Sequence, residues 1–372
     1  MNDLAVQRSN EASALVADLP ASRTTASVRA ERAVRLWISG RVDEGLELAL
    51  QTLAEAEAVG AEDVAAHALR VIRTIRAGGG DEQGFVDLEK SAEIGRKLHD
   101  PLTIHLALNN MANMHWHIGR IAEGARYLEL DRETQTGFGL TPASGNLRWI
   151  EGEKILYFDM VGSWHETLRQ ATQFIESLGE GRHYLVGACL LVSANALVAC
   201  GDQTGALAAS ERALELAREV KDPQQLHPAL LSRARALFSA GERRESQVLL
   251  DELMAAKPWL NEYWFKEVPW ALLEQGREEE YLAAAKDAVQ SAWVEAGVAV
   301  ASHDFARAAA IYERCGARGV EAIARLHAAE QLASEGQTTR AGEELVRAHE
   351  FFLAEGATPY VRRCESLLAA AS

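Results

Sequence analysis

Proline is scarce in this chain, eight in 372 residues, and several stand where a helix would stop and restart: Asp100-Pro101, Asp222-Pro223 and Gly356-Ala-Thr-Pro359. A residue that lacks the backbone donor and collides with the preceding turn is best tolerated at such boundaries. Alternating strand patterns are missing too. From Ser27 onward the apolar residues fall at helical spacing almost without interruption, which predicts an all-α fold. Cysteine is limited to Cys189, Cys200, Cys315 and Cys364, with no CxxC spacing. Small buried thiols in a reduced, cytoplasmic compartment are the natural reading, and no metal site is expected.

Positive charge is also in short supply. There are 38 Lys and Arg against 54 Asp and Glu, a formal charge of -16 and a pI near 5.2. Such a surface repels phosphate backbones and anionic lipid, so neither nucleic acid nor a membrane is expected as a partner. No run of 18 apolar residues occurs, and the opening MNDLAVQRSNEASALVADLP has an early acid and no continuous apolar stretch. Neither a spanning helix nor a secretory signal is expected. Catalytic signatures are missing as well: no GxxxxGK[ST], HExxH or GxSxG. His115 and His117 are spaced i, i+2, on different faces of a helix, and cannot share a metal. No nucleophile, base and orienter come together, so no catalytic residue, cofactor or enzymatic activity is expected.

What the chain does have is a repeat. His105 to Gly137 reads as an antiparallel helical hairpin with a tight turn at Gly119-Arg120. Turn glycines recur at Gly40, Gly80, Gly119, Gly162, Gly201, Gly241, Gly276 and Gly336, mostly 39 to 43 residues apart, and His303 takes the glycine's place in the one long gap. Seven residues before the turn lie Ala33, Ala112, Ala194, Ala234 and Ala329. Five residues after it lie Gly45, Gly124, Ala206, Ala308 and Ala341, with Thr167 and Ser246 in two other units. Two helices approach closely only where facing side chains are small, so these offsets are a packing requirement.

The same two offsets are the small positions of tetratricopeptide (TPR) repeats, and the chain resembles that superfamily over residues 27 to 357. It departs in having Leu where an aromatic opens most first helices, and in its longer linkers. The resemblance implies a right-handed α-α superhelix of about nine hairpins. We expect a flexible N-terminal arm or one marginal helix over residues 1–24, the array over 25–357 and a C-terminal capping helix over 358–372. From Ala301 onward, the hairpins DFARAAAIYE and AEQLASEGQTTRAGEEL and the closing GATPYVRRCESLL also resemble the C-terminal repeat region of large bacterial signalling ATPases. Their nucleotide-binding module is not part of this sequence, so that activity is not carried over.

In the TPR arrangement first helices line the concave side, and positions three, six and ten before each turn glycine face the groove. They are Arg70 and Thr74; Asn109, Asn113 and Trp116; Asn195; Arg235 and Phe238; and Glu330, with Trp37 in the first unit. Amides at i and i+4 suit an extended peptide, since each donates and accepts toward its backbone, and flanking Trp and Phe supply anchors. The alternative is that the aromatics are inter-repeat core and some amides satisfy buried backbone groups. Two regions break the rhythm. GFGLTPASGNLR, from Gly137 to Arg148, reads as a long connection and candidate lid. Residues 257–275 hold Trp259, Trp264 and Trp270, either a docking or homo-oligomer patch or the filling of a contracted junction. The expected function is a scaffold or adaptor that binds a partner protein or peptide in its groove. The alternatives are a ligand-responsive sensor and a cryptic enzyme, and an open groove against a closed cavity discriminates the first two.

Overall fold

The computed structural model describes residues 2–179 and 183–371, which are helical with no strand among them. Helix α1 (Asn2–Val16) opens the chain, so residues once open to two readings form a helix. Nine hairpins follow among the described residues. Their first helices are α2 (Arg23–Ile38), α4 (Glu62–Gly78), α6 (Pro101–His117), α8 (Gly145–Met160), α10 (Leu185–Cys200), α12 (Pro223–Ser239), α14 (Val268–Leu273), α16 (Ala292–Ala301) and α18 (Arg318–Ser334). Their second helices are α3 (Val42–Ala58), α5 (Glu82–Leu98), α7 (Ile121–Gly137), α9 (Trp164–Ser177), α11 (Gln203–Val220), α13 (Arg243–Ala255), α15 (Glu278–Ala285), α17 (Phe305–Cys315) and α19 (Thr338–Ala354). Helix α20 (Thr358–Ala371) closes the order.

All eight predicted turn glycines have positive φ, and His303 adopts the same region at φ 57. Gly119 shows why the turn demands this residue. At φ 85 any side chain would be strained, and an added Cβ would also lie 2.8 Å from the Ala292 Cβ and 3.0 Å from the Cys315 Sγ. The small positions before and after the turns are buried, among them Ala33, Ala112, Ala194, Ala206, Ala234, Ala308 and Ala329. At Gly45 the approach is to a backbone: a Cβ there would lie 2.9 Å from the Trp37 amide nitrogen and 3.0 Å from the Ala33 carbonyl.

The chain forms two compact units. The first comprises Met1–His115, Arg126–Leu147 and Leu216–Leu226; the second comprises Trp116–Ala125, Arg148–Glu215 and His227–Ser372. In the first unit the core under α2, α3 and α4 is built largely from alanine, with Ala26, Ala30, Ala56 and Ala61 around Val64, and Ala33 and Ala49 around Val71 and Ile72. In the second, larger side chains take over: Ile155, Leu156, Phe174, Leu185, Leu191 and Val192 form one cluster.

The two regions that break the rhythm take definite form. The connection after Gly137 spans residues 138–144, because α8 begins at Gly145 and takes up only the last four residues of GFGLTPASGNLR. The segment around 257–275 packs as a junction, the second of the two readings its aromatics allow. A 3-10 turn (Tyr263–Phe265) leads into the six-residue α14; Trp270 is 3% exposed, and Trp259 and Trp264 are half-buried.

Because the Gly45 contact is with backbone, Gly45→Ala should push α3 off α2 and cost about 1–3 kcal/mol. A lower urea midpoint at unchanged helicity is the expected result, and an unaltered midpoint would refute so close an approach.

Candidate functional site

In the first unit, α4 divides cleanly by its sequence. Val64, Ala68, Val71, Ile72 and Thr74 are buried, while Arg70, Arg73 and Arg76 follow one another at i, i+3 and i+6. Arg70 and Arg73 are half-buried and Arg76 is exposed. The Thr74 hydroxyl donates to the Arg70 carbonyl at 2.8 Å and accepts from Asn110 Nδ2 at 3.1 Å, which ties α4 to α6. On α6, Asn109, Asn110 and Asn113 are each half-buried. Asn113 Nδ2 donates to the Asn109 carbonyl at 3.1 Å, and the buried Asn109 Nδ2 has no hydrogen-bond partner among the described residues. The structure thus brings Arg70, Asn109 and Asn113, predicted from register alone, onto adjoining first helices.

The three α4 arginines make no hydrogen bond or ion pair among the described residues. Burial lowers the pKa of Arg70, against the pull of Glu31, and that of Arg73, against the pull of Asp87. Both carboxylates are already engaged: Glu31 accepts from Arg35 at 2.6 Å, and Asp87 from Gln83 at 2.9 Å. A guanidinium that is partly desolvated and makes no hydrogen bond is an unspent donor set.

Register did not reveal what holds α6 in place. His105 Nδ1 lies 2.7 Å from Asp131 Oδ2, with both side chains buried. Gln135 Nε2 donates to Asp131 Oδ1 at 3.1 Å and to the Pro101 carbonyl at 3.0 Å, and Asn146 Nδ2 donates to Gln135 Oε1 at 3.0 Å. Burial raises the Asp131 pKa despite these donors, His105 foremost among them. The signal was present, because His105 and Asp131 lie at similar distances from Gly119 and so face each other across the hairpin.

In the second unit the remaining predicted residues sit in different surroundings. Trp116 is wholly buried, its indole N–H donating to the Ile121 carbonyl at 3.2 Å, and its own carbonyl accepts from Trp293 Nε1 at 2.7 Å. It is core, because later hairpins of this unit close over it. Other turns dock likewise: a Cβ on Gly162 would lie 2.6 Å from the Gly319 nitrogen, and one on Gly201 2.9 Å from Pro359. Phe238 is half-buried beneath Arg243, whose guanidinium lies 5.0 Å from the ring centroid. Asn195 and Arg235 hold the same register on α10 and α12. The Asn195 Oδ1 and Arg235 Nη1 atoms are buried without hydrogen-bond partners among the described residues.

The aromatic segment carries charge into this interior. Lys266 Nζ donates to Asp159 Oδ2 at 2.6 Å, and Arg235 Nη2 lies 2.9 Å from Glu267 Oε2, all four side chains being at least nine-tenths buried. Burial pushes the Asp159 carboxyl up against the opposing pull of Lys266. Glu262 and His117 complete the set. Burial raises Glu262 to about 8 and lowers His117 to about 4, and at 3.8 Å the two are not hydrogen-bonded. Near pH 7 both are neutral.

The sign of the resulting pH dependence follows. Folded protein keeps a proton on Glu262 that an unfolded carboxyl releases near ~4.3, so this stability is present below ~4.3 and lost as pH rises through about 8. Glu262→Gln fixes the neutral form. It should raise the melting temperature relative to the parent at about pH 8 and change it little at about pH 4.5. The same shift at both values would contradict a buried, protonated Glu262.

No family model matches the chain, and no curated protein matches it in sequence. Among solved structures, the chain is similar to a Rap protein complexed with competence and sporulation factor, at 13% identity and a TM-score of 0.50, covering 93% of this chain and 98% of that one. A second similar structure has the nearly identical TPR-like repeats of a kinesin light chain type from Podosopora anserina, at 17% identity and a TM-score of 0.33, covering 62% of this chain and 92% of that one. The fold of this chain is an all-α array of TPR-like helical hairpins.

Proposed function

We propose that this protein is a non-catalytic scaffold that takes a partner polypeptide on the first-helix face of its first unit, along α4 and α6. The observation that carries this reading is a set of guanidinium groups on α4 that make no hydrogen bond or ion pair among the described residues, Arg70 and Arg73, with the amides of Asn109 and Asn113 on the adjoining α6; the Thr74–Asn110 bond ties the two helices and His105–Asp131 holds α6. Donors fixed on rigid helices lose little freedom on binding, which favours an extended chain laid across them. The likeness to a Rap protein solved with competence and sporulation factor supports a binding role, and the resemblance of the last quarter to signalling ATPase arrays supports a regulatory one. Four free thiols, which burial pushes up to about 11 or 12, fit work in a reducing cytoplasm.

A second reading, a sensor that holds a small ligand inside the second unit, is favoured by the unpartnered Asn195 Oδ1 and Arg235 Nη1 in that buried interior. Native mass spectrometry of protein purified from its own cells would reveal such a ligand as added mass, lost in Arg235→Ala protein that remains folded.

The scaffold reading is tested by affinity capture from the native cell with parent protein and with the Asn109→Ala, Asn113→Ala double variant. A captured partner should fall on the order of tenfold in the variant, about 1.4 kcal/mol, at unchanged circular dichroism. Equal recovery would overturn the reading.

A further inference from the structure

We infer that the polypeptide taken by the α4–α6 face is acidic, an extended segment whose Asp or Glu carboxylates pair with Arg70, Arg73 and Arg76. This inference rests on the proposal that the face binds a polypeptide, and adds the chemistry of the segment.

Charge complementarity is the first ground. Although the chain carries -16 overall, α2 and α4 together hold seven arginines against three acids. Four of the seven are accounted for within the unit. Arg23 pairs with Asp63 at 2.6 Å, Arg29 with Glu55, and Arg35 with Glu31 at 2.6 Å, while Arg32 donates to the Asn10 side-chain oxygen at 3.3 Å. The three left over are the consecutive arginines of α4.

The residue type is the second ground. Neither α2 nor α4 contains a lysine. A cation needed only for solubility would serve as well as lysine. A planar fork matters where a carboxylate must be gripped by two parallel N–H bonds. Solubility does not explain Arg70 and Arg73 in any case, because they are half-buried and burial disfavours their charge, which an incoming carboxylate would stabilise.

Spacing is the third. Arg70 and Arg76 are about 9 Å apart along the helix axis, and alternate side chains of an extended chain are about 6.8 Å apart, a mismatch that long arginine side chains absorb. Asn109, half-buried with a buried Nδ2 that has no partner among the described residues, is a further donor for a backbone carbonyl of the same segment once its side chain turns outward. A short acidic segment experiences mainly the local field within about 8–10 Å, whereas a long polyanion such as nucleic acid would meet the repulsion of the whole chain.

The test pans a phage-displayed library of random peptides of about twelve residues against the full-length protein. Parallel arms use an Arg70→Gln, Arg73→Gln, Arg76→Gln variant, a matched triple Lys variant, and a fluorescent single-stranded oligonucleotide. Thermal melts first confirm that each variant folds. Peptides enriched in Asp and Glu on the parent, absent on the Gln variant and bound about tenfold more weakly by the Lys variant, are the expected result. Enrichment without an acidic excess, abolished by Asn109→Ala and Asn113→Ala, would overturn the acidic assignment and leave the scaffold reading standing. No enrichment at all would overturn both. Oligonucleotide binding as tight as that of the best peptide, lost in the Gln variant, would overturn the assignment in favour of a general polyanion face.

Discussion

Close contact between the two helices of a hairpin, at a small residue beside the turn, is the constraint on which much of the rest of the structure depends. At Gly45 the Ala33 and Trp37 backbone comes too close for any side chain, and at other turns the small residues Ala194, Ala206, Ala234 and Ala308 are buried. That contact fixes the rotation of each helix about its axis. Once α4 is turned so that Val64, Ala68, Val71 and Ile72 face the core, Arg70, Arg73 and Arg76 have no freedom to be elsewhere. The alanine-rich core of the first unit gives little apolar area per residue, so much of its definition comes from fit and from specific bonds such as His105–Asp131.

One helix of the first unit departs from the way the rest of the structure treats buried charge. In the second unit, Lys266 meets Asp159, Arg235 meets Glu267, and Glu262 and His117 avoid the cost of ionisation by staying neutral. Paired in this way, the interior charges hold α8, α12 and the segment before α14 in register. In the first unit α2 follows the same economy, each of its arginines having a partner. Helix α4 does not. A desolvated cation without a partner destabilises the free protein relative to a complex that supplies one, and such local departures from otherwise consistent packing are where function concentrates.

Much of the fold was legible because it rests on local rules. Positive φ at each turn, the substitution of His303 for glycine and the small-residue offsets all follow from sterics within one hairpin. The errors have a common cause as well. Trp116 stands at a groove-facing register, yet it is buried by Trp293 and Tyr263, residues of the same unit far along the chain. Whether a register position ends up open or covered depends on contacts between distant hairpins, which periodicity does not encode. Residues 257–275 illustrate the same limit. Their aromatics marked something unusual, but the charges that matter, Lys266 and Glu267, were hidden among them.

Those errors sharpen the reading of α6. Of the features that set this helix apart, Ala112 and Trp116 are explained by burial, and His105 by Asp131. Asn110 is explained by its bond to Thr74. Packing leaves Asn109 with a buried amide donor still unspent, on the helix beside three arginines that are likewise unspent. A lone orphaned amide is an ordinary imperfection in a large helical protein. A donor set of one amide and three guanidinium groups, on adjoining rigid helices of a chain this acidic, is a consistent electrostatic bias in one direction, and it selects for ligands that bring negative charge and backbone carbonyls together.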